Sequence, residues 1–367
     1  MARSNTSIEY CIFGGENYEE MRNASISVIK GIAIINVVIG HCSMSSFTEQ
    51  YVNQYHLAIF FFVSGYFFKE KYIDDKRIFV WKKIKRLYVM FVISGLLFLS
   101  VHPLLEWMHV YDCSLTGSEY IMEVFNLTIG LTSNNPMMGA MWFCPALLGV
   151  SLLGFGLFCV SKGWNIKKRT ALFAMAVILG GTFLHVFKLK SPYCVWQYLI
   201  ITGIYYMGWL FHQIEEKLPK CKVKIWVVIA VVMGLVLYML TEMGIYGRLQ
   251  PANINNESVA SIMLVAMTGC IFVYAMAKVI SDTQMGKIVA MIGDYSFSIM
   301  LLHFLGFKAV NFLFCEYHDL PLTQIASFPT MRYNNPSWFL FYLLAGVFIP
   351  ILLSKTYHTC EKRLASL

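Results

Sequence analysis

The sequence predicts an all-α polytopic membrane protein of about ten transmembrane helices, with both termini cytoplasmic. Three observations carry this expectation. Of the 367 residues, 57% are apolar and only 14% charged, whereas a soluble domain carries about 25% charged residues. The apolar residues gather in runs that can cross a hydrocarbon core about 30 Å thick, which takes about 20 residues of helix. Basic residues then alternate in density from one connection to the next. A soluble enzyme, a disordered regulator and a nucleic-acid-binding module are set aside. The formal charge of +8 is read as basic loops beside a bilayer, which is the expected partner in place of nucleic acid.

The runs follow in order. They are Ser25 to Met44, His56 to Phe68, Leu87 to Pro103, Met138 to Val160, Thr170 to Phe187, Tyr193 to His212, Ile225 to Met243, Ser258 to Ala277, Ile288 to Phe314 and Ser337 to Ser354. The second is short and reaches the far interface only with flanking residues from Val52 to Gln54 or Lys69 to Tyr72. Barrel strands are excluded because they would be about ten residues long with alternating polarity. The organisation read from this is a cytoplasmic segment 1–24, a membrane domain 25–354 and a cytoplasmic tail 355–367.

Orientation follows from the basic residues. With the N-terminus inside, 24 of the 29 Lys and Arg fall on the cytoplasmic side, leaving Lys188, Lys190, Arg248, Lys308 and Arg332 outside. This bias is the positive-inside pattern. The first twenty residues, with Glu9, Glu16, Glu19 and Glu20, lack the basic start and apolar core of a signal peptide. The ten cysteines show no CxxC spacing, so no metal site is expected. Cys113 and Cys315 fall in expected external loops, where they would pair on an oxidising face or otherwise remain small apolar filler. Asn-x-Ser/Thr triplets at Asn5, Asn23, Asn126 and Asn256 are common by chance.

Ionisable groups within apolar runs carry the functional information, because each is costly in lipid unless it has a partner or a task. The first run holds Lys30 and His41. Eleven residues at 100° each make three turns plus about 20°, so the two share a helix face about 16 Å apart. The competing reading is a snorkelling lysine and a histidine bonded to a neighbouring helix. The second run opens on His56, at the external end where the first finishes, and contains Ser64-Gly65, a site for close helix contact. After it comes the basic stretch Lys69 to Arg86, including Lys82, Lys85 and Arg86. That stretch sets topology, or forms a phosphate-binding patch at the inner mouth.

These residues resemble the integral membrane acyltransferase 3 family. The likeness rests on Lys30-Gly-Ile-Ala-Ile, His41 in the same helix, His56-Leu-Ala-Ile-Phe-Phe-Phe-Val-Ser-Gly-Tyr, and the basic run ending Arg86-Leu. Met141-Trp142-Phe143-Cys-Pro-Ala-Leu and Tyr295-Ser296-Phe-Ser-Ile-Met-Leu-Leu-His303 are similar to later family segments, in family order. The branch in view is the bacterial sugar O-acetylases, fucose 4-O-acetylase-like. The resemblance implies transfer of an acyl group, usually acetyl from cytoplasmic acetyl-CoA, to a hydroxyl of a cell-surface glycan or its lipid-linked precursor at the bacterial inner membrane. No permanently bound cofactor is implied.

In that pattern Lys30 and His41 stand where the family has a cation, ten intervening residues and an essential histidine. A lysine keeps the charge but loses bidentate geometry. The acidic residue often found three positions earlier is Ser27 here, which argues against an ion pair fixing Lys30. His41 is the expected general base, with His56 and His303 as further catalytic candidates. Lys30, Lys82, Lys85 and Arg86 suit the phosphates of CoA. Ser296 and His303 lie seven residues apart on one helix face. Trp142 is read as a substrate platform or packing anchor, Glu242 as a group that orients a sugar or simply meets water, and Asp294 as a helix cap. Acceptor choice is expected to reside in external loops Tyr111 to Asn135 and Glu316 to Pro336. The other class considered is a multi-span transporter or exporter of a small solute or glycan intermediate, against which stands the lack of paired halves in the hydropathy.

Overall fold

The computed structural model describes residues 24–42, 45–190, 192–215, 217, 221–331 and 336–365. Most of the expected segment 1–24, with Arg3, Arg22, Asn5 and Asn23, lies outside the described residues, as does Arg332. Helix α1 (Ala24–Cys42) is followed by the short α2 (Ser46–Asn53) and by α3 (His56–Tyr66). Next, α4 (Lys76–Lys83) runs through a π turn at Ile84–Val89 into α5 (Met90–Ser100). Two short helices, α6 (His102–Trp107) and α7 (Gly117–Phe125), lead to α8 (Phe143–Val160) and α9 (Ile166–Gly181). Long helices α10 (Val195–Glu215), α11 (Val223–Glu242) and α12 (Val259–Ile280) come next. The chain closes with α13 (Gln284–Asp294), α14 (Ser296–Tyr317) and α15 (Phe339–Ala365). No strand occurs among the described residues.

Seven helices among these residues are long and apolar enough to cross a membrane: Ser25–Cys42, Pro136–Val160, Ile166–Val186, Val223–Glu242, Val259–Ile280, Ser296–Tyr317 and Phe339–Cys360. The other three expected runs are also helical for most of their length, within α3, α5 and α10. Helix α3 has 11 residues, about 16 Å at 1.5 Å per residue, and is shorter than a hydrocarbon core. Helix α15 continues past Ser354 without a break.

The expected ninth run, Ile288 to Phe314, is two helices. Tyr295 leaves helical geometry (φ −93°, ψ 13°) between α13 and α14. The cause is the fit of α13 against α1. A Cβ on Gly293 would lie 2.0 Å from the Ser27 carbonyl oxygen, and one on Gly31 would lie 2.0 Å from that of Val289. The chain must turn after this close approach to continue as α14. Cys315 is likewise corrected: it lies within α14, buried, and it forms no disulfide with Cys113, both being free thiols among the described residues. An apolar helix face, rather than a loop, holds Cys315 in the interior.

Apolar side chains form two core clusters. One gathers Phe61, Phe158, Phe173, Tyr205 and Trp209 from α3, α8, α9 and α10. The other gathers Ile34, Phe91, Phe304, Phe307 and Tyr342 from α1, α5, α14 and α15. Phe60 and Met300 pack against both. The α3–α10 crossing is tight at two glycines: a Cβ on Gly65 would meet Tyr205 O at 1.8 Å, and one on Gly208 would meet Phe62 O at 1.9 Å. Gly65 therefore has the close-contact role expected of it. Ser64 instead accepts a hydrogen bond from Lys83 Nζ at 3.1 Å.

Candidate active site

Helix α1 brings together helices from both core clusters; Lys30 and His41 on it are each half-buried, while Ile34 and Val37 between them on the same face are buried. At His41 the structure joins three imidazoles. The His303 ring stacks on His41 with centroids 5.3 Å apart and planes at 26°. Phe304 meets His41 edge-on at 4.9 Å. His56, at the start of α3, is buried within electrostatic reach of His41.

Two of the three rings have a defined tautomer. His303 Nδ1 lies 2.9 Å from Ile299 O and 3.1 Å from Met300 O. A carbonyl only accepts, so Nδ1 carries the proton and Nε2 holds a lone pair. Nε2 is buried and has no hydrogen-bond partner among the described residues. His56 Nδ1 lies 2.6 Å from Val52 O and is protonated for the same reason. Each ring thus retains a basic Nε2 in the apolar interior.

Three turns along α1, Lys30 has Asp294 and Arg86 as its charged neighbours. Asp294 closes α13 and accepts a hydrogen bond from Ser27 Oγ at 2.8 Å. It does not cap α14, whose first turn receives no side-chain cap. The serine at position 27 therefore does not leave Lys30 without a carboxylate: α13 supplies one from across the helix interface. Arg86 stands on the π turn at Ile84–Val89, a local irregularity that is frequent at functional sites.

The family model of the acyltransferase domain matches residues 23–355, most of the chain. The chain belongs to the acyltransferase 3 family. It is accordingly a multi-pass membrane acyltransferase. No curated protein and no solved structure matches it.

The remaining candidate residues of this acyltransferase lie at varying distances from the imidazoles. Lys82 is exposed, with its ammonium 5.5 Å from the Tyr72 ring, and Lys85 is half-buried on the π turn. Trp142 is half-buried against the first core cluster and meets Phe143 at 6.4 Å. Ser296 starts α14, about 10 Å along the axis from His303, so sharing a face does not bring them together. Glu242 is exposed at the end of α11 and makes no hydrogen bond or ion pair among the described residues.

Lys308 is a neighbour of the candidate site that charge counting alone misses. It is 3% exposed, one and a half turns beyond His303 on α14. Its ammonium donates to the carbonyls of Ile325 (3.0 Å), Ala326 (2.9 Å) and Ser327 (2.8 Å). Asn311 Nδ2 donates to Ile325 O and Ser327 O, both at 3.0 Å, and Asn311 Oδ1 accepts from the Tyr342 hydroxyl at 2.7 Å. This network folds the 320–331 loop back onto α14. Phe328, on that loop, then rests 4.7 Å from Phe304. A continuous line of rings runs Phe328, Phe304, His41.

Proposed function

We propose that this protein transfers an acetyl group from cytoplasmic acetyl-CoA to a hydroxyl of a cell-surface glycan or its lipid-linked precursor, in the bacterial inner membrane. The observation that carries the reading is the single α1 face bearing Lys30 near one end and His41 near the other, each completed by residues from the 294–304 stretch. Lys30, with Arg86 beside it and Lys82 and Lys85 on the same basic segment, attracts the phosphates of CoA. Asp294 orients Lys30. The acyl-pantetheine arm lies along α1 toward His41.

His41 is the general base. A sugar hydroxyl is a poor nucleophile at neutral pH, and His41 takes its proton as the oxygen attacks the thioester carbonyl. The tetrahedral intermediate collapses with cleavage of the C–S bond. His41 returns the proton to the departing CoA thiolate, leaving an acetyl ester and free CoA. His56 and His303, with their Nδ1 atoms engaged by carbonyls, keep Nε2 lone pairs beside this step and orient the hydroxyl. The half-buried state of His41 supports access for both substrates.

The test uses radiolabelled acetyl-CoA with membranes containing the parent protein or His41→Ala. Label should enter glycan in the parent, and the variant should lose about 10²- to 10⁴-fold, the range for removal of a general base. Glycan that stays unlabelled in the parent while a small solute crosses the membrane would refute the reading and favour transport.

A further inference from the structure

At the end of the bundle opposite the basic residues lies a cleft of ≈ 630 Å³, lined by Glu106, Trp107, His109, Tyr111, Asp112 and Thr323. Its size falls in the range of small-ligand sites, about 300–1,000 Å³. Two separate stretches of chain form it. The first emerges from α5 through α6. The second is the loop that Lys308 ties down.

Both walls are built firmly. Tyr111 is buried, stacks on His102 at 4.4 Å and 18°, and donates its hydroxyl to Asn135 Oδ1 at 2.8 Å. Burial pushes the Tyr111 phenol up to about 12, so it remains a donor at any physiological pH. Asn135 Oδ1 also accepts from the Met137 backbone at 2.9 Å. Glu106 accepts from Ser114 Oγ. Thr323 is carried by the turn at Leu322–Ala326, whose carbonyls at 325 and 326 are held by Lys308. Asp112 is a charged neighbour of Lys308, which holds the second wall from behind.

The lining has a recognisable chemistry. Trp107 is 78% exposed and presents a flat apolar surface. Glu106 and Asp112 supply carboxylate acceptors, while His109 and Thr323 supply groups that donate or accept. Among the described residues no Lys or Arg lines the cleft. A sugar ring matches this set: its C–H face packs on an aromatic ring and its hydroxyl rim donates to carboxylates. Two carboxylates outnumber the ammonium near them, that of Lys308, which is engaged by loop carbonyls, and so disfavour an anionic sugar by like-charge repulsion. The cleft and the histidines share one loop: the segment bearing Thr323 also bears Phe328, which is half-exposed and packs on Phe304 beside His41.

We infer that this cleft is an acceptor subsite for a neutral oligosaccharide, holding the sugars next to the one acylated at His41. The inference rests on the acyl-transfer reading for the identity of the acceptor. It goes beyond that reading in naming a second place of contact and the charge class of the glycan.

The experiment uses the full chain in nanodiscs, with an array of immobilised short neutral oligosaccharides and uronate-containing oligosaccharides of matching length. Parent protein is compared with Trp107→Ala and Asp112→Asn, both at exposed positions. The parent should be retained by at least one neutral series and more weakly by the uronates. Each variant should lose about tenfold in affinity, equivalent to about 1.4 kcal/mol. No neutral glycan retaining the parent, equal retention of parent and variants, or a preference for uronates overturns the cleft. Labelled acetyl-CoA is then added to the retained protein. Retention without transfer upholds the cleft and refutes O-acetylation of that glycan, so the two readings fail separately.

Discussion

Replacing Lys308 with Met tests whether one ammonium holds the 320–331 loop against the histidines. Methionine keeps an unbranched apolar stem and removes the charge and all three N–H donors. The three acceptors lie 2.8–3.0 Å away, and a hydrogen bond to a charged group contributes about 1.5–3 kcal/mol. The full sum is not lost, because Asn311 Nδ2 still bonds Ile325 O and Ser327 O. Only the Ala326 carbonyl loses this side-chain donor altogether. One strong bond lost and two shared bonds weakened give about 3 kcal/mol, or roughly a hundredfold rise in the opening equilibrium. Hydrogen–deuterium exchange of the nanodisc-embedded protein reads this directly. Amides of residues 322–331 should exchange roughly a hundredfold faster, while those in the middle of α14 hold. Acetyl transfer should fall with the loosened Phe328–Phe304 contact. Unchanged exchange in that loop would refute the clamp, whatever happened to activity.

Other outcomes follow from the same geometry. His303→Ala should lower kcat at least tenfold with little change in the KM for acetyl-CoA, as measured by initial rates on purified protein, because His303 lies at the reacting end and not near Lys30. Asp294→Asn should raise the KM for acetyl-CoA about fivefold, about 1 kcal/mol for a partly exposed charge contact, leaving kcat nearly constant. Ser27→Ala should do the same to a smaller degree. Gly293→Ala should destabilise by about 1–3 kcal/mol and lower the thermal midpoint of detergent-solubilised protein by several degrees, since its methyl would stand 2.0 Å from Ser27 O.

The helical, membrane-spanning character was legible because it depends on runs of apolar residues, a local property. The eleven-residue interval from Lys30 to His41 also needs only helix geometry. Where the chain departs from expectation, the cause lies in contacts distant in sequence. The division of the Ile288 to Phe314 run depends on Gly293 meeting Ser27 across 266 positions. Gly293-Asp294 is a local stop signal in hindsight, masked by apolar residues on both sides. The Ser27–Asp294 hydrogen bond is invisible until α1 and α13 are side by side. Lys308 counts as one more external charge until the loop carbonyls that surround it are placed. Cys315 follows the same logic: its helix continues beyond the apolar run as drawn from sequence.

The break at Tyr295 leaves Asp294 and His303 nine positions apart, beside an α1 in which Ser27 and His41 are fourteen apart. The two stretches touch at both ends, through the Ser27–Asp294 bond and the His41–His303 stack. They behave as paired rulers whose end marks must coincide. A single residue inserted between Asp294 and His303 would turn the imidazole by about 100° and lift it by about 1.5 Å, out of register with His41. The span between the Lys30 end and the His41 end is therefore set by counting residues on two helices at once. Length changes in this protein should accumulate in connections such as Ser281–Thr283, and not within either ruler.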